Sequence, residues 1–156
     1  MKHKNLYLSL LFIGSILSAC KKEESIDTTY PEISNSTTNA FPIQCSTLKR
    51  GEKFSFKATF SDNVELGSSS IDIHHNFDHH SHSTEVNSCE MEPIKLPVNP
   101  FLLVKTFPIA AGQKSYSINE ELTVPLDVDP GDYHFLIRLT DKAGWQTIKG
   151  VSIKII

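Results

Sequence analysis

Five of the chain's seven histidines fall within nine residues, at His74, His75, His79, His80 and His82. They belong to the stretch Ser70-Ile71-Asp72-Ile73-His74-His75-Asn76-Phe77-Asp78-His79-His80-Ser81-His82. Neutral imidazole is the side chain most often used to hold zinc, copper or nickel. Two imidazoles at His-x-His spacing on an extended chain project to the same side, so His80 and His82 can converge on one point. The chemistry on offer is therefore metal binding. The alternative is a solvated loop that happens to be rich in histidine.

The stretch needs a scaffold to bring its rings together. Ile71, Ile73 and Phe77 alternate as the core face of a half-buried strand would, and the chain then leaves as a polar loop. One face carries Ile71, Ile73, His75 and Phe77, which makes His75 a packed core residue. The other carries Asp72, His74, Asn76 and Asp78, and His80 and His82 join it if the strand runs on. A second strand starts at Tyr133. Tyr133 and Phe135 face inward there, so His134 faces outward. In a sandwich these two strands pair antiparallel, which puts His134 across from His74 or Asn76. The expected ligand set is His74 and His134 with one or two of Asp78, His80 and His82. Zinc is the first expectation; copper binds the same nitrogens more tightly, and nickel also suits them. Ligand imidazoles must be deprotonated, so binding is expected to weaken below about pH 6.

Catalytic motifs are poor. His-Glu-x-x-His, Cys-x-x-Cys, the Walker loop and Gly-x-Ser-x-Gly are absent. Ser46-Thr47-Leu48-Lys49 and Ser61-Asp62-Asn63 match two motifs of serine β-lactamases, but Lys-Thr-Gly is missing and Ser46 lies in a strand pattern. A metal-dependent hydrolase needs an open coordination position and a general base, and Glu85 is the one nearby candidate. Asp127, Asp129 and Asp132 lack EF-hand spacing and read as a turn. The chain is expected not to be an enzyme. An adhesion module, or one that contacts a protein or glycan within an outer-membrane complex, is the alternative to metal binding.

Composition places these elements in one globular domain. Hydrophobic residues make up 39% and the formal charge is −3, which argues against a nucleic-acid partner. Lys2, His3 and Lys4 followed by an apolar run from Leu6 to Leu17 have the form of an export signal, too short to span a bilayer. Besides Cys20, just after this run, the chain has Cys45 and Cys89. An exported compartment permits a disulfide between them. Two free thiols, or a thiolate metal ligand, are the other readings.

Past a charged tether over 20–29, Pro31-Glu32-Ile33 begins an edge strand. Phe41 to Leu48 is a second strand, and Phe54, Phe56, Ala58 and Phe60 alternate cleanly as a third. The histidine strand, Phe101–Thr106, Tyr116–Leu122, Tyr133–Leu139 and Val151–Ile155 follow. Ser81 to Pro100 is a long polar connection of the kind often used for function. No window carries a long helical period. About seven short strands indicate an immunoglobulin-like antiparallel β-sandwich over residues 30–156.

Several segments resemble known families. Leu17-Ser18-Ala19-Cys20 resembles the bacterial lipobox, in which Cys20 is acylated after residues 1–19 are removed. Lys21-Lys22-Glu23-Glu24 is similar to the export signal of surface lipoproteins in Bacteroidetes. Phe56-Lys57-Ala58-Thr59-Phe60-Ser61-Asp62-Asn63-Val64-Glu65-Leu66 resembles the second strand and turn of bacterial immunoglobulin-like domains. Pro130-Gly131-Asp132-Tyr133-His134-Phe135 and Thr140-Asp141-Lys142-Ala143-Gly144-Trp145 resemble their last two strands, with Tyr133 in the place of a tyrosine corner. The histidine stretch, these last segments and the cysteine pair together resemble a Bacteroidetes lipoprotein family with a domain of unknown function. The resemblance implies fold and address: lipid-anchored at the outer membrane, exposed on the surface, with the bilayer and an outer-membrane protein as partners. It implies no activity.

Overall fold

The computed structural model describes residues 26–34, 39–82 and 89–156. The signal sequence, Cys20 and Glu85 lie outside those residues. Eight strands are present: β1 (Glu32–Ser34), β2 (Ser46–Leu48), β3 (Lys53–Ser61), β4 (Leu66–His75), β5 (Leu103–Pro108), β6 (Ser115–Thr123), β7 (Gly131–Asp141) and β8 (Gln146–Ile155). The described residues contain no helix.

The strands form two sheets, one ordered β1-β3-β6 and one ordered β2-β8-β7-β4-β5. In chain order, β3 and β6 take the places of immunoglobulin strands B and E, and β4, β7 and β8 those of C, F and G. The chain therefore folds as an immunoglobulin-like β-sandwich. One pairing departs from the antiparallel expectation: β2 runs parallel to β8. The first strand region is split, with β1 on one sheet and β2 on the other.

Alternation builds the core. Phe56, Ala58 and Phe60 of β3 are buried, and so are Ile71 and Ile73 of β4 and Tyr133, Phe135, Ile137 and Leu139 of β7. Rings meet across the sheets, with Phe56 and Phe135 centroids 5.4 Å apart. The expected strand over Phe41–Leu48 shrinks to three residues. Cys45 has φ 64°, and its turn breaks the ladder after an isolated bridge between Phe41 and Lys57.

Tyr133 closes a corner before β7. Its hydroxyl donates to the carbonyl of Asp129 at 2.6 Å and accepts from Phe101 N at 3.1 Å. Burial pushes the Tyr133 phenol above its ordinary pKa. Asp129 stitches the incoming connection to the same corner, its Oδ2 accepting from Val98 N and Asn99 N at 2.7 Å each. Cys45 and Cys89 form a disulfide, tying the segment before β2 to the long connection before β5.

Candidate metal centre

The β4–β7 ladder sets the first two ligands. His74 and His134 are register partners, so their Cα atoms stand directly opposite each other on the outer face of the five-stranded sheet. Their ring centroids are 5.3 Å apart.

The loop after β4 supplies the other two. Asn76 N bonds the Asp132 carbonyl at 2.8 Å, which carries the pairing one step past His75. The chain then reverses at His79, which has φ 59°, in the left-handed region that histidine visits more readily than most residues. His79 N bonds the Asn76 carbonyl, and His79 Nε2 lies 2.8 Å from the Glu92 carbonyl. His79 thus anchors the loop to Glu92 and is not part of the cluster. The reversal folds His80 and His82 back over the sheet.

The result is a quartet of His74, His80, His82 and His134. One nitrogen from each ring lies within 4.8 Å of the others. His74 Nε2 and His82 Nε2 are 3.0 Å apart. The His80 ring lies 4.7 Å and the His82 ring 4.5 Å from that of His134, centroid to centroid. A tetrahedral zinc with bonds of about 2.0–2.1 Å sets its four nitrogens about 3.3–3.4 Å apart. The His74–His82 pair, at 3.0 Å, lies close to that spacing.

His134 departs from expectation in one respect. It is on the outer face, yet it is 0% exposed. The histidine loop covers it, and the His80 carbonyl lies 3.1 Å from His134 Nε2. His134 is roofed because residues 76–82 fold back instead of running on as a strand, while His74, His80 and His82 stay partly exposed.

Two carboxylates stand behind the rings. Asp72 Oδ1 lies 2.8 Å from His74 Nδ1, and Asp78 Oδ1 lies 2.6 Å from His80 Nδ1. An Nδ1–H donated to a carboxylate fixes the tautomer, leaves the lone pair on Nε2 and raises its basicity toward a metal. The His80 bond holds the Asp78 carboxyl below its ordinary pKa. Asp78 was expected as a ligand; the structure puts it outside the quartet, orienting His80. Asp72 was not singled out. Its signal is a repeated spacing, Asp72-Ile73-His74 and Asp78-His79-His80, with each acid two residues before a ring it supports.

Several sequence candidates lie elsewhere. His75 is half-buried with its ring 4.9 Å from Phe77, and its Nδ1 has no hydrogen-bond partner. Cys45 and Cys89 are consumed by their disulfide and offer no thiolate. Asp129 is held below its ordinary pKa, foremost by the Val98 amide. Asp132 Oδ2 accepts from Glu92 N at 2.7 Å. Both therefore serve the corner rather than a calcium loop.

A family model described as a domain of unknown function, DUF4625, matches residues 18–156. The chain belongs to the DUF4625 family. The match covers the whole sandwich, both quartet strands and the histidine loop. No curated protein matches this DUF4625 chain. Among solved structures it is similar to a GspB Siglec domain, at 21% identity and a TM-score of 0.43, covering 83% of this chain and 59% of that one. It is also similar to Spo0M, a sporulation control protein from Bacillus subtilis, at 11% identity and a TM-score of 0.39, covering 81% of this chain and 48% of that one. The DUF4625 chain thus spans about half to three-fifths of the length of these two structures.

Proposed function

We propose that this DUF4625 domain binds a divalent transition metal, zinc first, through His74, His80, His82 and His134, without catalysis. The observation that carries the reading is the convergence of four imidazole nitrogens within 4.8 Å, with two rings backed by carboxylates. Nδ1 of His74 and of His80 is engaged by Asp72 and Asp78, which leaves the Nε2 lone pairs of those two rings for a metal ion. Four protein ligands close a tetrahedral site, whereas catalytic zinc keeps one position open for water or substrate. The all-imidazole set also suits copper and nickel, and copper would outcompete zinc at equal availability.

In this reading Cys20 is acylated and holds the domain at the outer membrane, surface-exposed, where the quartet sequesters metal. Several acyl chains on one cysteine give stable anchoring where a single chain does not. The sequence from Leu17 to Glu24 supports that address.

Elemental analysis of the native protein, purified without a tag or chelator, tests the function. About one transition-metal ion per chain is expected, lost on substitution of His80 and His82 to alanine. Metal content no higher in the native protein than in that double variant would refute the reading.

A second reading has one observation in its favour. β5 is a sheet edge; Val104 within it is 73% exposed and Leu102, just before it, 65%. An apolar edge of this kind suits an adhesion or complex-forming module. Alanine at both positions would abolish partner capture in that case and leave metal content unchanged.

A further inference from the structure

A second cluster of ligand atoms lies at the other end of the sandwich, built from residues far apart in sequence. One carboxylate oxygen from each of Asp27, Asp62 and Asp141 lies within 4.8 Å of the others. Asp62 sits in the β3–β4 turn, Asp141 ends β7, and Asp27 precedes β1. Leu66 pairs with Asp141 at the start of the β4–β7 ladder, and His74 pairs with His134 eight residues further on. At about 3.3 Å per residue the two clusters are about 26 Å apart along β4.

The close approach has a local cause. A Cβ on Gly67 would stand 2.7 Å from the Asp141 carbonyl oxygen, so only glycine lets β4 come this near the end of β7. The β4 register also shifts between Leu66 and Ser68. That bulge carries the β3–β4 turn, with Asp62, toward Asp141.

Buried oxygens without partners point to a ligand. Asp141 is 4% exposed. Its Oδ1 accepts from Gly144 N and Trp145 N, but its Oδ2 is buried with no hydrogen-bond partner. Asp62 repeats the pattern: Oδ1 accepts from Val64 N and Glu65 N, and Oδ2 is buried without a partner. Among the described residues no lysine, arginine or histidine forms a salt bridge with any of the three carboxylates. Asp27 Oδ1 accepts from Thr29 N and Asn63 Nδ2. Three converging carboxylates, two of them with an orphaned buried oxygen, call for a cation.

We propose that Asp27, Asp62 and Asp141 bind a calcium ion that fastens the N-terminal segment to the sandwich. An all-oxygen, all-carboxylate set is hard, and it selects calcium or magnesium over the metals suited to imidazole. Calcium accepts a flexible oxygen shell, where magnesium demands near-ideal octahedral geometry, so carboxylates gathered from three separate segments suit calcium better. The segment around Asp27 is already docked: its carbonyl accepts from Trp145 Nε1 at 2.8 Å, and the Tyr30 ring packs 4.9 Å from the indole. Calcium would join Asp27 to the two turns through the ion as well.

Trp145 is the chain's one tryptophan, so its emission reports on this junction. The experiment is a CaCl2 titration of the chelator-treated full protein, following tryptophan fluorescence and Tm. A saturable change with a midpoint in the roughly 10⁻⁴–10⁻³ M range of extracellular calcium modules is expected. Asp62→Asn is expected to raise that midpoint at least tenfold. Asp27→Asn, which lies outside both sheets and leaves the sandwich intact, is expected to do the same. His74→Ala is expected to titrate like the native protein, which separates this site from the histidine quartet. No saturable response, an equal response to MgCl2, or an unchanged midpoint in Asp27→Asn would overturn the proposal.

Discussion

The site depends on the pairing of each ring with a particular support. His74 and His80 each face a carboxylate across Nδ1, and His134 faces the His80 carbonyl. Ligands and supports are therefore expected to differ in the size of their effects. His80→Ala removes a ligand, and zinc affinity measured by competition with a chromophoric chelator is expected to fall at least about 100-fold. Asp72→Asn and Asp78→Asn keep the ligands but loosen the rings, and a loss of about 10–100-fold is expected. If either aspartate variant falls as far as His80→Ala, it is a ligand and the assignment here is wrong. The sequence made four of these residues legible, because His-x-His and strand alternation put them on one face. It misplaced Asp78, since an acid two residues before a histidine reads equally well as ligand or support. It also passed over the Asp27, Asp62 and Asp141 cluster. Each of those aspartates looks locally like a turn or tether residue, and only tertiary contact joins them.

The elements that matter most are the corner before β7 and the loop after β4. Tyr133→Phe removes the donor to Asp129 O and the acceptor for the amide of Phe101, a buried residue. A loss of about 1–3 kcal/mol in urea unfolding is expected from the stranded groups. Asp129 gives this corner a pH dependence. Its folded pKa is depressed, so its contribution is present above the unfolded carboxyl value of about 3.9 and is lost as pH falls through the folded value. The gap in urea midpoint between native protein and Asp129→Ala is expected to narrow from pH 7 to pH 2. A constant gap would show that the carboxylate charge is not what the Val98 and Asn99 amides hold. Strand alternation made most elements readable, β3 and β7 above all. Two features escaped it. The split of the first strand follows from the turn at Cys45, and the roofing of His134 follows from the reversal at His79; both are positive-φ residues that no periodicity marks.

At the scale of the molecule, covalent and metal crosslinks act on the connections of an otherwise ordinary sandwich. The Cys45–Cys89 disulfide spans 44 residues and encloses β2, β3, β4 and the histidine loop. Constraining a loop of that length in the unfolded chain is worth about 3–4 kcal/mol in the chain-entropy model. Metal bound only to the folded quartet adds about 2.7 kcal/mol at a free concentration one hundred times Kd. Zinc is therefore expected to raise Tm in native and reduced protein alike, which differential scanning calorimetry would show. The most direct measurement is a calorimetric zinc titration of the full protein beside its His80→Ala, His82→Ala variant, both substitutions lying in the loop rather than the sheets. The quartet requires one zinc per chain in the native protein and at least a hundredfold weaker binding in the folded variant. Matching isotherms for the two would contradict it.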